Sequence, residues 1–447
     1  MELNGKRVLV VGLAKSGMAA IRLLHEFGAV ITLSEARARD QIHELDQLNA
    51  YGVTVCGQQP EDARQGFDLC IKNPGVPESN PFIQALRAEG VPVITEIELA
   101  FQLAKPQHYL AITGSNGKTT TATLCYEVIR AAYPEKTHLC GNIGTPLCDV
   151  ILDENLLNEE GHYIVLEVSN FQLINIDRFR PEAATIINLS PDHLDVMGSL
   201  EAYYKSKTEV YRNMEGDDFF LINADDPVLA EYLEKYPVRC KTAAFSLERA
   251  DTEVCLRNEN ICIAGEDVVP LSDIHVVGRH NQQNVMVAAS LAKYCGVPNE
   301  TIRKAVSEFK GVEHRIEYVR EWNGVKFYND SKGTNTDATV TALKAFDKGV
   351  ILLAGGFEKG LPMDDVKAHM GCVKQLIGYG ACGPRIVRET VGDKGIVVTT
   401  LDEALAEAVK IAEPGDVVLL SPTTSSFDQF RNMEERGEHF KELVNAL

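Results

Sequence analysis

Short β-rich apolar runs, each followed by a stretch with helical spacing, recur along almost the whole chain. RVLVVG (7–12) leads into a helical pattern to about Phe27, and VITLSE (30–35) into a helix through about Asn49. FDLCIKNPG (67–75) and VPVITEIELA (91–100) continue the series. After the break at Lys105-Pro106-Gln107, HYLAITG opens at His108, followed by YIVLEVS (163–169), AATIINLS (183–190) and DFFLINAD (218–225). A polar, less regular region spans about 241–275, and helices from near Asn281 and over 299–309 lead to Lys310-Gly311-Val312. Beyond it come VKFYND, GVILLAGG, KQLIGYG, GIVVTT and DVVLLSP, with LDEALAEAVKIA (401–412) the clearest helix between them. Strands that are apolar on both faces and alternate with helices form parallel sheets covered by those helices. At about 150 residues per domain, 447 residues give three α/β domains in series, with expected limits 1–104, 105–311 and 312–447.

Charge restricts what such domains bind. Lys and Arg number 44 against 64 Asp and Glu, a net charge of −20 that argues against nucleic acid. Any phosphate must therefore be held by local cations or backbone N–H groups. There is no apolar run of about 18 residues, so no transmembrane helix or membrane insertion is expected. MELNGKRVLVVGLAKSG runs straight into a strand rather than a secretory signal. The 11 cysteines have no C-x-x-C spacing and read as reduced core thiols of a cytoplasmic enzyme.

LAITGSNGKTTTATL is the sharpest local signal: an apolar strand ending at Thr113, a Gly-rich turn, then Lys118, Thr119 and a helical run. Small residues let the backbone approach an anion, N–H groups at the helix start point at it, and Lys118 neutralises phosphate. Thr119 is placed to offer a hydroxyl to Mg²⁺. The motif is a short form of the phosphate loop, with Ile112 where the longer pattern has its first glycine. VGLAKSG has Gly12 and Gly17, and Glu35 ends the next strand, but Ala14 replaces the glycine that lets a pyrophosphate approach. NAD(P), another nucleotide-like ligand and a purely structural turn all remain open for it.

A second cluster is acidic. LEVSNFQL places Glu167 and Ser169, and NLSPDHLD places Asp192 and His193, at the ends of buried strands that should converge on the phosphate crevice. Such groups suit a second divalent ion. In the last domain NDSKGTNT, AGGFEKG and SPTTSSFDQF bring Lys332, Thr334, Lys359 and Ser426 to strand ends. The Ser425-Ser426-Phe427 turn is expected to start a helix.

In order along the chain, VGLAKSG, NPGVP, TGSNGKTT, GNIGTP, LEVSNFQL, NLSPDHLD, GRHNQQN, EHRIE, NDSKGTN, LLAGG and SPTTSSFDQF resemble the Mur ligase family. The resemblance covers essentially the whole chain. It implies an N-terminal Rossmann-like domain that grips a UDP-sugar, a central P-loop ATPase-like domain and a C-terminal doubly wound Rossmann-like domain. SPTTSSFDQFRNMEERG is similar to the signature of members that add D-glutamate, and the DNPR and GAGD strings of other members are absent. The implied activity is ATP-dependent joining of D-glutamate to UDP-N-acetylmuramoyl-L-alanine through an acyl phosphate, by an enzyme expected to be a monomer. A folylpolyglutamate synthase-like amide ligase is the alternative.

Carried over by position, the resemblance implies ATP contacts from Gly114, Ser115, Asn116, Gly117, Lys118, Thr119, Thr120, Asn281, Arg315 and Asp330. It implies two Mg²⁺ ions held by Thr119, Glu167, His193 and Lys207, with Lys207 carbamylated by CO₂ and Lys205 lying close by. Lys118, His193 and Lys207 would be catalytic. Ser16, Asn73, Gly75, Asn142 and Ser169 would touch the UDP-linked substrate, and Lys332, Thr334, Lys359, Ser426 and Phe427 the incoming D-glutamate.

Overall fold

The computed structural model describes residues 1–37, 41–190 and 197–447. It contains three sheets among the described residues. The first has strands β1 (Arg7–Val11), β2 (Val30–Ser34), β3 (Thr54–Cys56), β4 (Leu69–Lys72) and β5 (Val93–Ile94), in the order β3-β2-β1-β4-β5 and parallel throughout. The second has β6 (His108–Thr113), β7 (Thr137–Gly141), β8 (Tyr163–Glu167), β9 (Ala183–Ile186), β10 (Gly216–Asn223), β11 (Cys240–Ser246), β12 (Val254–Arg257), β13 (Asn260–Ile263) and β14 (Glu266–Pro270). Its order is β14-β13-β12-β11-β10-β9-β6-β8-β7. The third has β15 (Glu317–Trp322), β16 (Val325–Asn329), β17 (Val350–Gly355), β18 (Val373–Tyr379), β19 (Ile396–Val397) and β20 (Val417–Leu420), in the order β15-β16-β20-β17-β18-β19. Only the β15–β16 pair of that sheet is antiparallel.

The chain divides into two compact units, Met1–Val269 with Gln283–Ile302, and Pro270–Gln282 with Arg303–Leu447. Within the first unit, the first two sheets share one hydrophobic cluster that includes Leu23, Ile97, Leu147 and Phe179. Polar clamps reinforce it. Glu98 is fully buried, and its carboxylate accepts the backbone N–H groups of Asp177, Arg178 and Phe179 at 2.9, 2.8 and 2.9 Å. Glu96 accepts the Cys148 N–H, and Arg22 pairs with Asp149 and Asp153. In the second unit, apolar clusters cover both faces of the parallel strands, for example Phe327, Leu353 and Phe440 on one face and Leu352, Ile386 and Leu419 on the other.

Three local expectations change. VPVITEIELA keeps only the two-residue β5 as strand; Thr95 then leads into a helix, Glu96–Leu103, whose first turn carries two glutamates. Acidic residues there suit the positive end of the helix dipole. The 241–275 region is four strands, β11 to β14, because tight turns with positive φ at Asn258 and Glu259, and at Ala264 and Gly265, fold it into hairpins. No helix starts at Ser425-Ser426-Phe427. The chain makes a turn closed by Gln429 and Phe430 N–H groups on Ser426 O, and the helix Met433–Asn445 begins only after its cap, Asn432.

Candidate active site

β6 ends at Thr113 and hands the chain to the loop 114–117 and the helix Lys118–Ala132. The loop is tied to the segment after β9. Ser115 N–H donates to Asn188 O (3.0 Å), Asn116 N–H to Asn188 Oδ1 (2.9 Å), and Ser115 Oγ to Ser190 O (2.8 Å). Gly117 has φ +83°, and a Cβ there would lie 2.6 Å from Asn284 Oδ1, so glycine is required. Asn284, in the helix Arg279–Tyr294, also accepts the Thr121 hydroxyl at 3.0 Å. Thr121 N–H bonds to Gly117 O at 2.9 Å, and the N–H groups that precede it in the first turn have no intrahelical acceptor, the arrangement that suits anions.

Two lysines meet beneath this loop. Lys118 Nζ donates to Gly114 O and Ser115 O, both at 2.9 Å, and Lys207 Nζ donates to the same Gly114 O at 2.9 Å. Lys207 is 1% exposed and lies 4.6 Å over the Tyr203 ring, whereas Lys205 is exposed and points to Tyr236. The structure thus separates the two neighbouring lysines: Lys207 is the one turned inward.

Glu167 ends β8 next to β6. Its Oε1 accepts Asn142 Nδ2 at 2.8 Å, and Asn142 N–H donates to Glu167 O at 2.8 Å. Its Oε2 is buried with no hydrogen-bond partner among the described residues. A buried carboxylate oxygen left without a donor is costly, and a hard divalent cation is the kind of partner that removes that cost. Ser169 caps the short helix Asn170–Leu173 through a capping box with Gln172. His193, expected beside Glu167, lies outside the described residues, as does Asp192.

At the ends of β1 and β4, three expected residues meet. Asn73 Nδ2 donates to Ser16 Oγ at 3.0 Å, and Gly75 N–H donates to Asn73 Oδ1 at 2.9 Å. Glu35 accepts the Leu13 N–H at 2.9 Å and pairs with Arg37, whose Nη2 also donates to Leu13 O. Arg37 was not anticipated; its place two residues after Glu35, the acid that follows β2, is the available signal.

In the second unit, Asp330 follows β16 and is buried. Burial pushes its carboxyl up to about 7, although Ser421 Oγ and Ile316 N–H donate to it and Arg315 lies near. Lys332 N–H donates to His314 O and Thr334 N–H to Lys332 O. Lys359 Nζ reaches Thr334 O at 3.2 Å, so the NDSKGTN and AGGFEKG loops meet as expected. Phe357 N–H donates to Ser425 O at 2.9 Å, which brings the third loop alongside. Ser426 is buried and Phe427 is 66% exposed. Beneath these loops lies Arg436, which the sequence reading did not single out. Fully buried, it donates to Ser331 Oγ, Ser331 O and Thr424 O. Asn281 Nδ2 donates to Val277 O within this unit, and Arg315 is exposed. The residues expected around ATP are therefore divided between the two units. Glu313, His314 and Glu438 cluster, but Lys441 Nζ sits 2.7 Å from Glu313 and Glu438 and already supplies the cation.

Residues 6–95 match the Mur ligase MurD-like N-terminal domain, 112–292 the Mur ligase middle domain, and 314–424 the Mur ligase glutamate ligase domain. The UDP-N-acetylmuramoylalanine–D-glutamate ligase of Geobacillus sp. (strain WCH70) is 40% identical, covering 99% of this chain and 98% of that protein. That of Koribacter versatilis (strain Ellin345) is 42% identical, covering 100% and 99%. Among solved structures, MurC from Thermotoga maritima, a UDP-N-acetylmuramate–alanine ligase, superposes with a TM-score of 0.55 at 20% identity, covering 99% of each chain. MurF ligase from the same organism, solved with ADP, gives 0.56 at 15% identity, covering 100% of this chain and 97% of that one. These two likenesses concern the fold.

Proposed function

The chain belongs to the Mur ligase family, and we infer that it is an ATP-dependent ligase joining D-glutamate to UDP-N-acetylmuramoyl-L-alanine in peptidoglycan precursor synthesis. The observation that carries this reading is the phosphate loop with Lys118 and Lys207 converging on Gly114 O, in a chain related from end to end to D-glutamate ligases. The match over residues 6–95 also gives the first lobe a role that a folylpolyglutamate synthase-like enzyme would leave idle.

A carboxylate is a poor electrophile until one oxygen becomes a phosphate leaving group. We assign residues Gly114 to Thr120 to the ATP phosphates, with the Lys118 cation and the helix-start N–H groups of 117–120 as the donors that oppose the charge that builds up during transfer, the Ser115 and Asn116 N–H groups being held by Asn188. Asn281, Arg315 and Asp330 complete the nucleotide site in this reading. Ser16, Asn73, Gly75, Asn142 and Ser169 hold the UDP-linked substrate. Lys332, Thr334, Lys359, Ser426 and Phe427 receive D-glutamate, whose amine attacks the acyl phosphate and expels phosphate through a tetrahedral intermediate. Oxygen donors such as the unpaired Glu167 Oε2 and the Thr119 hydroxyl fit Mg²⁺, and His193 and a carbamylated Lys207 would join them. Two such ions would offset repulsion between the substrate carboxylate and the ATP polyanion. Lys207 shares an acceptor with the Lys118 cation, so replacing its ammonium by a carbamate anion relieves like-charge repulsion.

The functional divisions are proposed at 1–104, 105–311 and 312–447, with the enzyme acting as a cytoplasmic monomer. No helix among the described residues is long and apolar enough to cross a membrane. Phosphate release from ATP and Mg²⁺ with UDP-N-acetylmuramoyl-L-alanine and a panel of D- and L-amino acids tests the activity. Release should require D-glutamate; equal release with L-glutamate, or release indifferent to the amino acid, refutes it.

A further inference from the structure

Lys72, the last residue of β4, is 2% exposed. A lysine buried at a strand end is expensive, and an apolar residue there would serve stability better. Its ammonium has three N–H donors, and all three point at one short segment. They reach Val76 O at 2.7 Å, Asn73 O at 3.4 Å and Glu78 Oε1 at 3.2 Å. That segment is the NPGV turn, closed by Val76 N–H on Asn73 O at 3.0 Å, together with Glu78 two residues beyond it. The turn's outward side is the Asn73–Ser16–Gly75 arrangement described above. The C-terminal ends of parallel strands are where such sheets present ligand sites.

We propose that Lys72 is a positioning residue for the UDP-linked substrate, holding the NPGV turn from beneath so that Asn73 and Gly75 present their polar groups in register with Ser16. The proposal rests on the reading that this lobe grips the UDP moiety. Glu78 does not depend on Lys72 alone, since it also accepts Arg87 Nη2 at 2.8 Å and Asn175 Nδ2 at 2.6 Å. Removing the lysine charge therefore leaves no orphaned carboxylate, and Lys72→Met, of similar length, should fold.

The test compares full-length wild type, Lys72→Met, Lys72→Gln and Asn73→Ala by calorimetric titration with UDP, by KM for each substrate, and by Tm. Loss of charge-assisted bonds of this kind corresponds to about a ten-fold effect. Lys72→Met should weaken UDP binding and raise the KM for UDP-N-acetylmuramoyl-L-alanine about ten-fold, with the KM values for ATP and D-glutamate and kcat within about two-fold. A normal UDP affinity in Lys72→Met, whatever its Tm, or a loss spread equally over all three substrates, overturns the proposal. If Lys72→Met does not fold, Lys72→Gln carries the same expectation; failure of both to fold makes Lys72 a residue of the fold alone and also overturns it. Asn73→Ala separates the two levels. If it weakens UDP binding while the lysine variants do not, the positioning role fails and the UDP site stands. If it leaves UDP binding unchanged, the assignment of this lobe to UDP fails, and the proposal with it.

Discussion

Replacing Glu98 tests how the first lobe is joined to the central sheet. Its carboxylate is fully buried and accepts three consecutive backbone N–H groups, those of residues 177–179, together with Gln102 Nε2 at 2.6 Å. In Glu98→Gln one oxygen survives. If it takes the Oε2 position, it keeps Asp177 and Phe179, and the new NH₂ group faces the Arg178 N–H. Gln102 Nε2, which donates to the same Oε1, can turn its amide to offer its oxygen instead, so one charge-assisted bond becomes a donor–donor clash, a loss of about 2–3 kcal/mol. Glu98→Ala strands all three N–H groups and should cost about 4–5 kcal/mol, near the upper end for single substitutions. At roughly 2 °C per kcal/mol for a unit of this size, calorimetry should show Tm falling by about 5 °C for Gln and about 10 °C for Ala. Proteolysis should open first near residues 174–180. A Glu98→Gln protein melting within about 1 °C of wild type would show that water satisfies these donors and that the clamp adds little.

Glu96 is buried and its carboxyl is pushed up to about 7 by burial, above the usual 4.5. The folded state therefore holds a proton that the unfolded chain releases, so this stabilisation is full below pH 4.5 and is lost as pH rises towards 7. It is worth up to about 3 kcal/mol, and Glu96→Gln should remove that part of the fall in Tm between pH 5 and 8; an unchanged slope would refute it. Lys118→Ala should leave Tm within about 2 °C yet retain less than about a tenth of wild-type turnover, if it removes the cation of the proposed phosphate cradle. Lys207→Ala should be inactive, and wild type in ¹³C-bicarbonate with Mg²⁺ should show a carbamate carbon signal that the variant lacks. Lys359→Ala should raise the KM for D-glutamate about 10- to 150-fold, with much smaller effects on ATP and the UDP-linked substrate; a uniform loss would assign Lys359 to the fold instead.

The legible parts of this protein are those whose signal is local. The apolar strands, the TGSNGKT turn and the strand-end polar groups all follow from neighbouring residues, and the structure does bring Asn142 to Glu167, Asn73 to Ser16 and Lys359 to Thr334. What escaped depends on partners distant in sequence or on unusual turn residues. The TEIELA segment reads as strand because its period is ambiguous over so few residues, and the structural roles of Glu96 and Glu98 appear only when Cys148 and residues 177–179 are placed beside them. The β12–β13 hairpin turns on Asn258-Glu259 without the glycine that usually marks such a turn. Arg436 looks like an ordinary surface arginine of a charged helix until its donors are seen to end on Ser331 and Thr424.

These distant contacts follow one physical pattern. The loops proposed to face ligands at the strand ends are short and polar, and polar loops cannot be shaped by hydrophobic burial alone. Three of them are instead held by a buried polar side chain whose donors match backbone groups: Lys72 at 73–76, Lys207 at Gly114, and Arg436 at Ser331 and Thr424. Each such group gives up solvation for geometry, and the cost is recovered only if the backbone groups it meets stay in place. That asymmetry explains why the expensive residues lie behind the loops rather than in them. A loop held by backbone-directed bonds keeps one shape without drawing on its outward side chains, which stay free for the binding roles proposed for them.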